Sequence, residues 1–266
     1  MKDTLIIYEN SEILIVYKEA GVSVQGGQGI KYPLDEELSK QLGYRIYLVH
    51  RLDKETSGLL VVAKNPAAAN KWTKLIGTKK VTKNYLAVCF GTPLVNGKES
   101  LSGVLSDSIK KDGRDLEAST HFKVLSSRTV ALPPSVAQGP AAAHGPAADT
   151  AAPAAQGASA NTAAPSADGI KSLKLSAVSL TLDTGRMHQI RIHLGKANAP
   201  IAGDDKHGNF KFNKLARKLG IKKLCLMAYE LTVNDGGKKM TFRSPVPEHM
   251  KEAMALCGFE EGQSGK

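Results

Sequence analysis

Short apolar runs follow one another closely along this chain, and most have the length and composition of strands. Leu5–Tyr8, Ile13–Tyr17, Ile46–Val49 and Leu59–Ala63 are β-branched or aliphatic and bounded by turn residues, which predicts strands. Tyr85–Phe90, Ala118–Leu125, Leu173–Leu182 and Leu224–Val233 continue the pattern. Only Pro33–Leu42, Pro66–Ile76, Lys211–Leu219 and Pro247–Leu256 read as helices. Strands that succeed one another without a helix between them favour antiparallel pairing, because a parallel pair needs a long crossover. The expected fold class is α+β, a central and mostly antiparallel mixed sheet flanked by helices.

One segment cannot join that sheet. Residues 133–169 span 37 positions, 15 of them Ala, 6 Pro and 4 Gly, with no Lys, Arg, Leu, Ile, Phe, Tyr or Trp. The prolines break any helix that the alanines favour, and the segment has almost nothing to bury. It is expected to be a flexible insertion that lengthens a hairpin within a single domain of residues 1–258. Residues 259–266 read as a polar tail.

Charge narrows the partner. The chain has 36 Lys and Arg against 25 Asp and Glu, a formal charge of +11. Asp149 and Asp168 are the only formal charges in the insertion, so the basic surplus belongs to the rest of the chain. Such a surplus favours a polyanion, nucleic acid first. The cysteines Cys89, Cys225 and Cys257 are odd in number and far apart, which argues against a disulfide scaffold; no C-x-x-C pair suggests zinc. The longest apolar runs, such as Leu59–Ala63, are far short of a membrane span. The start, MKDTLIIYENSE, is unlike a signal peptide. A cytoplasmic protein without membrane association is expected.

Several standard sites fail. Gly91–Lys98 carries one residue too many for a phosphate-binding Walker loop, and Glu99 stands where Ser or Thr is needed. No G-x-S-x-G elbow exists. Gly26, Gly27 and Gly29 match no dinucleotide fingerprint and read as a turn. His188 and His193, five apart, would lie on different faces of a helix, a poor start for a metal site.

Two stretches remain that are dense in polar groups. His50-Arg51-Leu52-Asp53-Lys54-Glu55-Thr56-Ser57-Gly58 is a polar turn between two apolar strands, and loops held by strands are where sites usually sit. Positive charge on either side of a carboxylate favours its ionised form. Asp53, between Arg51 and Lys54, could therefore serve as nucleophile or base, or could simply cap the turn. Thr184-Gly185-Arg186-Met187-His188-Gln189-Ile190-Arg191-Ile192-His193-Leu194 is rich in donors suited to phosphates and base edges, or forms a solvated basic face. Its periodicity fits strand and helix alike.

These stretches closely resemble signatures of the RluA-type RNA pseudouridine synthases. The first, continued through Leu59-Leu60-Val61-Val62-Ala63-Lys64, matches H-R-L-D-x-x-T-S-G-x-x-x-x-A-K, and the second G-R-x-H-Q-I-R-x-H-L. Lys83-Asn84-Tyr85-Leu86-Ala87 matches the intervening K-x-Y-x-A, and Pro200-Ile201-Ala202-Gly203-Asp204 the following P-I-x-G-D. The likeness runs from about residue 5 to residue 250, which suggests a compact member without the small N-terminal RNA-binding domain of many relatives. There are departures. Leu226-Met227-Ala228 lacks the histidine common within L-x-A, Leu231–Asp235 differs from L-x-F-x-H-P, and His207 stands where G-D-x-x-Y-G has tyrosine. They fall on the substrate wall.

The resemblance implies a pseudouridine synthase fold with an active-site cleft. It implies conversion of uridine in structured RNA, rRNA or tRNA, to pseudouridine, without cofactor or metal. Asp53 would be the essential carboxylate, attacking the anomeric carbon or removing the ribose 2′ proton. Tyr85 would pack on the uracil and is a candidate base for the carbon 5 proton, although by itself it reads as a core aromatic. Arg191 would pair with Asp53. Arg51 would fill the space left by the extruded base, since a stacked base is unreachable. Lys83, Arg186, His188 and Gln189 would contact RNA. The chain is expected to act as a monomer with no obligatory protein partner. The alternative is an RNA chaperone of the same fold without turnover; a DNA-binding protein rests on charge alone.

Overall fold

The computed structural model describes residues 3–111, 113–133, 170–235 and 238–260. At its centre lies β4 (Ser57–Ala63), whose seven residues are all buried. A strand can carry so continuous an apolar run because both faces of the sheet are covered. Leu60 and Val62 enter one cluster, and Leu59, Val61 and Ala63 enter the other. The antiparallel neighbour β2 (Ile13–Lys18) divides in the same way, with Leu14 and Val16 facing Ile13 and Ile15 across the sheet plane. Trp72 of α2 (Pro66–Gly77) closes the smaller cluster. Asn65 starts that helix by accepting the N–H of Ala68, and Pro66 occupies its first turn.

The remaining strands extend this sheet. Beyond β2 lies β1 (Leu5–Glu9), and the short β3 (Tyr47–Leu48) also pairs with β4. On the other side come β11 (Leu226–Asp235), β5 (Val81–Phe90), β10 (Ser172–Leu182), β9 (Arg114–Ala131) and β8 (Ser102–Lys111), with β12 (Lys238–Arg243) beside β11. Among the described residues every strand pairing is antiparallel except β4 with β11. At that exception Gly58, φ +116°, pairs with Ala228, and a Cβ there would stand 2.2 Å from the Ala228 carbonyl oxygen. Only glycine permits this approach. The α+β expectation therefore holds.

Some elements differ from the sequence expectation. β8 and β12 had no apolar signal, being polar segments at the side of other strands. Gly91–Glu99 forms a small hairpin of β6 (Leu94–Val95) and β7 (Lys98–Glu99). Phe259 is buried in the main core, so packing continues past residue 258 into the expected tail. β9 and β10 remain paired up to Ala131 and Ser172, and Leu132 donates to the Lys171 carbonyl at 2.8 Å. The two ends of the Ala/Pro-rich segment therefore lie side by side; residues 134–169 and 261–266 fall outside the described residues. The helices α1 (Leu34–Leu42), α3 (Gln189–Lys196), α4 (Phe210–Ala216) and α5 (Glu248–Leu256) each send buried apolar residues into the main cluster. Among the described residues no helix is long and apolar enough to cross a membrane.

Candidate active site

The turn between β3 and β4 is pinned from below. Lys18, at the end of β2, is fully buried, and its Nζ donates to the carbonyls of Glu19, Val22 and Lys54 at 2.8–2.9 Å. The Lys54 carbonyl also accepts the N–H of Gly21. Burial pushes the Lys18 ammonium down to about 7, opposed by the charges of Glu55 and Asp53. Behind the turn, His50 Nε2 accepts the N–H of Val61 at 3.0 Å. Accepting that bond requires an unprotonated nitrogen, and burial, with Lys83 nearby, pushes His50 down to about 3. The sequence assigned no role to Lys18, and His50 entered only as the first residue of its motif. A lysine after an apolar strand reads as solvated, and only the fold shows it covered.

This scaffold presents Asp53 to a cleft of about 610 Å³. The Asp53 main-chain carbonyl accepts from Thr56, closing the turn. Its side chain faces across the cleft instead, with Oδ2 3.4 Å from Arg191 Nη1 and 3.8 Å from His188 Nε2. The ambiguous 184–194 stretch is a loop followed by the helix α3. His188 caps that helix in the left-handed conformation, φ 55°, which costs a non-glycine residue about 1–3 kcal/mol and is held by its surroundings. A hydrogen bond of 2.8 Å joins His188 Nδ1 to His207 Nε2. Burial lowers both imidazoles from their ordinary value, and Asp53 partly opposes this.

Arg191 divides its guanidinium unequally. Nε and Nη2 hold Asp204 as a fork at 2.8 and 2.7 Å, and only the longer Nη1 contact reaches Asp53. The expected Arg191–Asp53 pair is thus the weaker of two, and Asp204 is the residue that sequence reading passed over. Asp204 is 1% exposed. Burial opposes its charge, but Arg191 and the N–H groups of His207 and Lys206 hold its carboxyl below the usual range. It follows Gly203, where a Cβ would stand 2.0 Å from the Lys223 carbonyl oxygen. An aspartate after a turn glycine reads as an ordinary turn, so only its position in P-I-A-G-D hinted at more.

Tyr85, on β5, is buried in the cleft wall. Burial and then the Asp53 charge push its phenol well above the usual value. The base role would require ionising that phenol beside a carboxylate, so the neutral form is favoured. Arg51 and Arg186 are exposed at the rim, while Lys83 is half-buried inside and lowered by burial. Gln189 differs from expectation. Its Oε1 accepts from Thr184 and from the Arg186 N–H, and its Nε2 donates to the Ser119 carbonyl and Thr120 Oγ1. With every amide site occupied by protein it positions the Arg186 loop and has nothing left for RNA. All eight residues singled out from sequence, Gln189 included, nonetheless border this one cleft.

A family profile described as RNA pseudouridylate synthase matches residues 12–196, which contain Asp53, Tyr85 and Arg191. The chain belongs to this family. Among curated relatives of this synthase, the ribosomal large subunit pseudouridine synthase C of Rickettsia felis is 28% identical over 95% of the chain and 70% of the relative. The protein of that name from Rickettsia conorii is 31% identical over 77% of the chain and 56% of the relative. The chain thus spans just over half to about two thirds of the length of these relatives. Human RNA pseudouridylate synthase domain containing 4 shares the fold, with a TM-score of 0.66 at 20% identity over 97% of this chain and 94% of that one.

Proposed function

We propose that this synthase isomerises uridine to pseudouridine in large-subunit ribosomal RNA, with Asp53 as the essential carboxylate. The observation that carries the reading is the Asp53 side chain, directed into a nucleoside-sized cleft and faced by Arg191, His188 and Tyr85. The reaction breaks the bond from N1 to the anomeric carbon and forms one from carbon 5 to that carbon. Carbon 5 loses a proton and N1 gains one, so atoms and charge balance without an oxidant. Attack on the anomeric carbon and removal of the 2′ proton both use this carboxylate, which the Arg191 contact orients toward the cleft.

The neutral Tyr85 phenol packs against the uracil, Lys83 and Arg186 receive phosphates, and Arg51 occupies the place of the extruded base. The ribosomal substrate is taken from the relatives' names. The named groups all lie on one chain, which supports action as a monomer without a protein partner, in the cytoplasm where ribosomal RNA is met. The folded domain extends through Phe259, with the Ala/Pro-rich segment as an insertion in one hairpin.

The test is a pseudouridine map of RNA from cells lacking the protein, compared with cells restored by wild type or by Asp53→Ala. A large-subunit rRNA position that regains pseudouridine only with wild type is expected. Restoration by Asp53→Ala would overturn the mechanism, and a responding position in tRNA would overturn the substrate.

A further inference from the structure

We propose that residues 206–223 form a second RNA-binding element, an arm that takes the strand beyond the target nucleotide and stacks an unpaired base on Phe210. The inference rests on the RNA-modifying reading above and adds a surface to it. Between Lys206 and Lys223 the chain has seven Lys and Arg and no Asp or Glu. All seven are exposed, so none of that charge is spent inside the fold. Among the described residues, the carboxylate paired with a side-chain cation of this set, Asp205 with Arg217 at 3.5 Å, is itself exposed; Asp204 next to it is turned inward to Arg191.

Within this charged segment the two phenylalanines have opposite fates. Phe212 packs its ring at 5.4 Å from Phe90 and anchors α4 to the sheet. Phe210 points out and is 76% exposed, more than any other large apolar side chain among the described residues. An exposed ring amid cations is the combination that binds a single strand, since cations take phosphates and the ring takes a base face.

The arm also adjoins the cleft. His207 bonds His188, which faces Asp53, and Asp204 holds Arg191. Met187, beside His188, is likewise 70% exposed. A strand leaving a nucleotide held at Asp53 therefore meets the arm next. A protein partner would also suit an exposed phenylalanine, but a segment with seven cations and no acid favours a polyanion.

The experiment measures anisotropy of a fluorescein-labelled 20-nucleotide oligouridylate with the full chain across a salt series. Phe210→Ala is expected to weaken binding about ten-fold and Phe210→Trp to restore it. Replacing Lys211, Lys214 and Lys218 together by Ser should lower the slope of log affinity against log salt by about 2. Thermal melts confirm that each variant is folded. Binding within two-fold of wild type for Phe210→Ala, with an unchanged slope for the triple variant, overturns the arm. So does a wild-type chain that fails to bind the oligonucleotide. If the arm variants lose affinity but wild type forms no pseudouridine in the map, the arm stands and the catalytic reading falls.

Discussion

Two carboxylates flank Arg191 and are treated oppositely by the fold. Asp204 is 1% exposed and is gripped by a bidentate fork and two main-chain N–H groups. The Asp53 side chain is 25% exposed and has one contact of 3.4 Å to the same guanidinium. Burial and saturation make Asp204 a fixed strut that aims Arg191. Partial exposure and spare hydrogen-bonding capacity leave Asp53 available to a substrate. Burial works against the Arg191 charge, yet Asp204 first and Asp53 second hold the guanidinium above its usual value. One arginine thereby braces a buried carboxylate on one side and faces the cleft carboxylate on the other.

The sharpest way to break this comparison is to neutralise Asp53. In single-turnover assays on large-subunit rRNA, Asp53→Asn should slow pseudouridine formation by ~10²–10⁴-fold, the range of a lost acid–base group. Its melting temperature and its RNA affinity should stay close to wild type; an unstable Asp53→Asn would make it a strut as well. Asp204→Ala should do the reverse first. It leaves Arg191 buried without its main partner and should cost about 3–5 kcal/mol in denaturant unfolding. Wild-type stability in Asp204→Ala would remove the distinction.

Acid should erode the surroundings before it reaches Asp204. His50, His188, His193, His207 and His249 are all lowered by burial. A folded value below the unfolded one means that the unfolded chain binds protons more readily. That stability is present above the ordinary value of about 6.5 and is lost as pH falls through it toward the folded values. Asp204, also lowered, adds its own loss only below the usual carboxylate range. His50→Asn, whose amide can still accept the Val61 N–H, should flatten the loss between pH 6.5 and 4.5 by up to about 1.4 kcal/mol per pH unit. An unchanged pH profile would mean that His50 is not held neutral. The smallest effect is expected for the Ala/Pro-rich segment. Deleting Pro134–Ala167 joins ends that already lie beside the Ala131–Ser172 pair and should leave modification nearly unchanged; lost RNA binding would make the insertion functional.

Much of the sheet was legible because its central strands are apolar on both faces, as in Leu59–Ala63. β8 and β12 were not, because a strand beside the rim needs little apolar surface and resembles a loop in composition. The helix α3 could not be told from a strand, since Ile190, Ile192 and Leu194 alternate while Met187, Ile190 and Leu194 also make a stripe. Packing decided it, placing Arg191 toward the cleft and His193 against Thr120 at 2.9 Å. Resemblance to a known family named the residues that border the cleft, and Gln189 shows its limit: a shared motif position does not say whether an amide faces ligand or loop.

The sequence by itself determined the α+β class and the basic surplus outside the Ala/Pro-rich segment, and its motifs, through family resemblance, named residues that share a cleft. Local patterns of apolarity, charge and motif are properties of neighbours along the chain. The tertiary structure alone decided that Lys18 is buried beneath the Asp53 turn, that His50 accepts the Val61 N–H, and that Arg191 belongs more to Asp204 than to Asp53. Those outcomes depend on burial and on distances between residues far apart in sequence, where desolvation and hydrogen-bond geometry set the role of each charge.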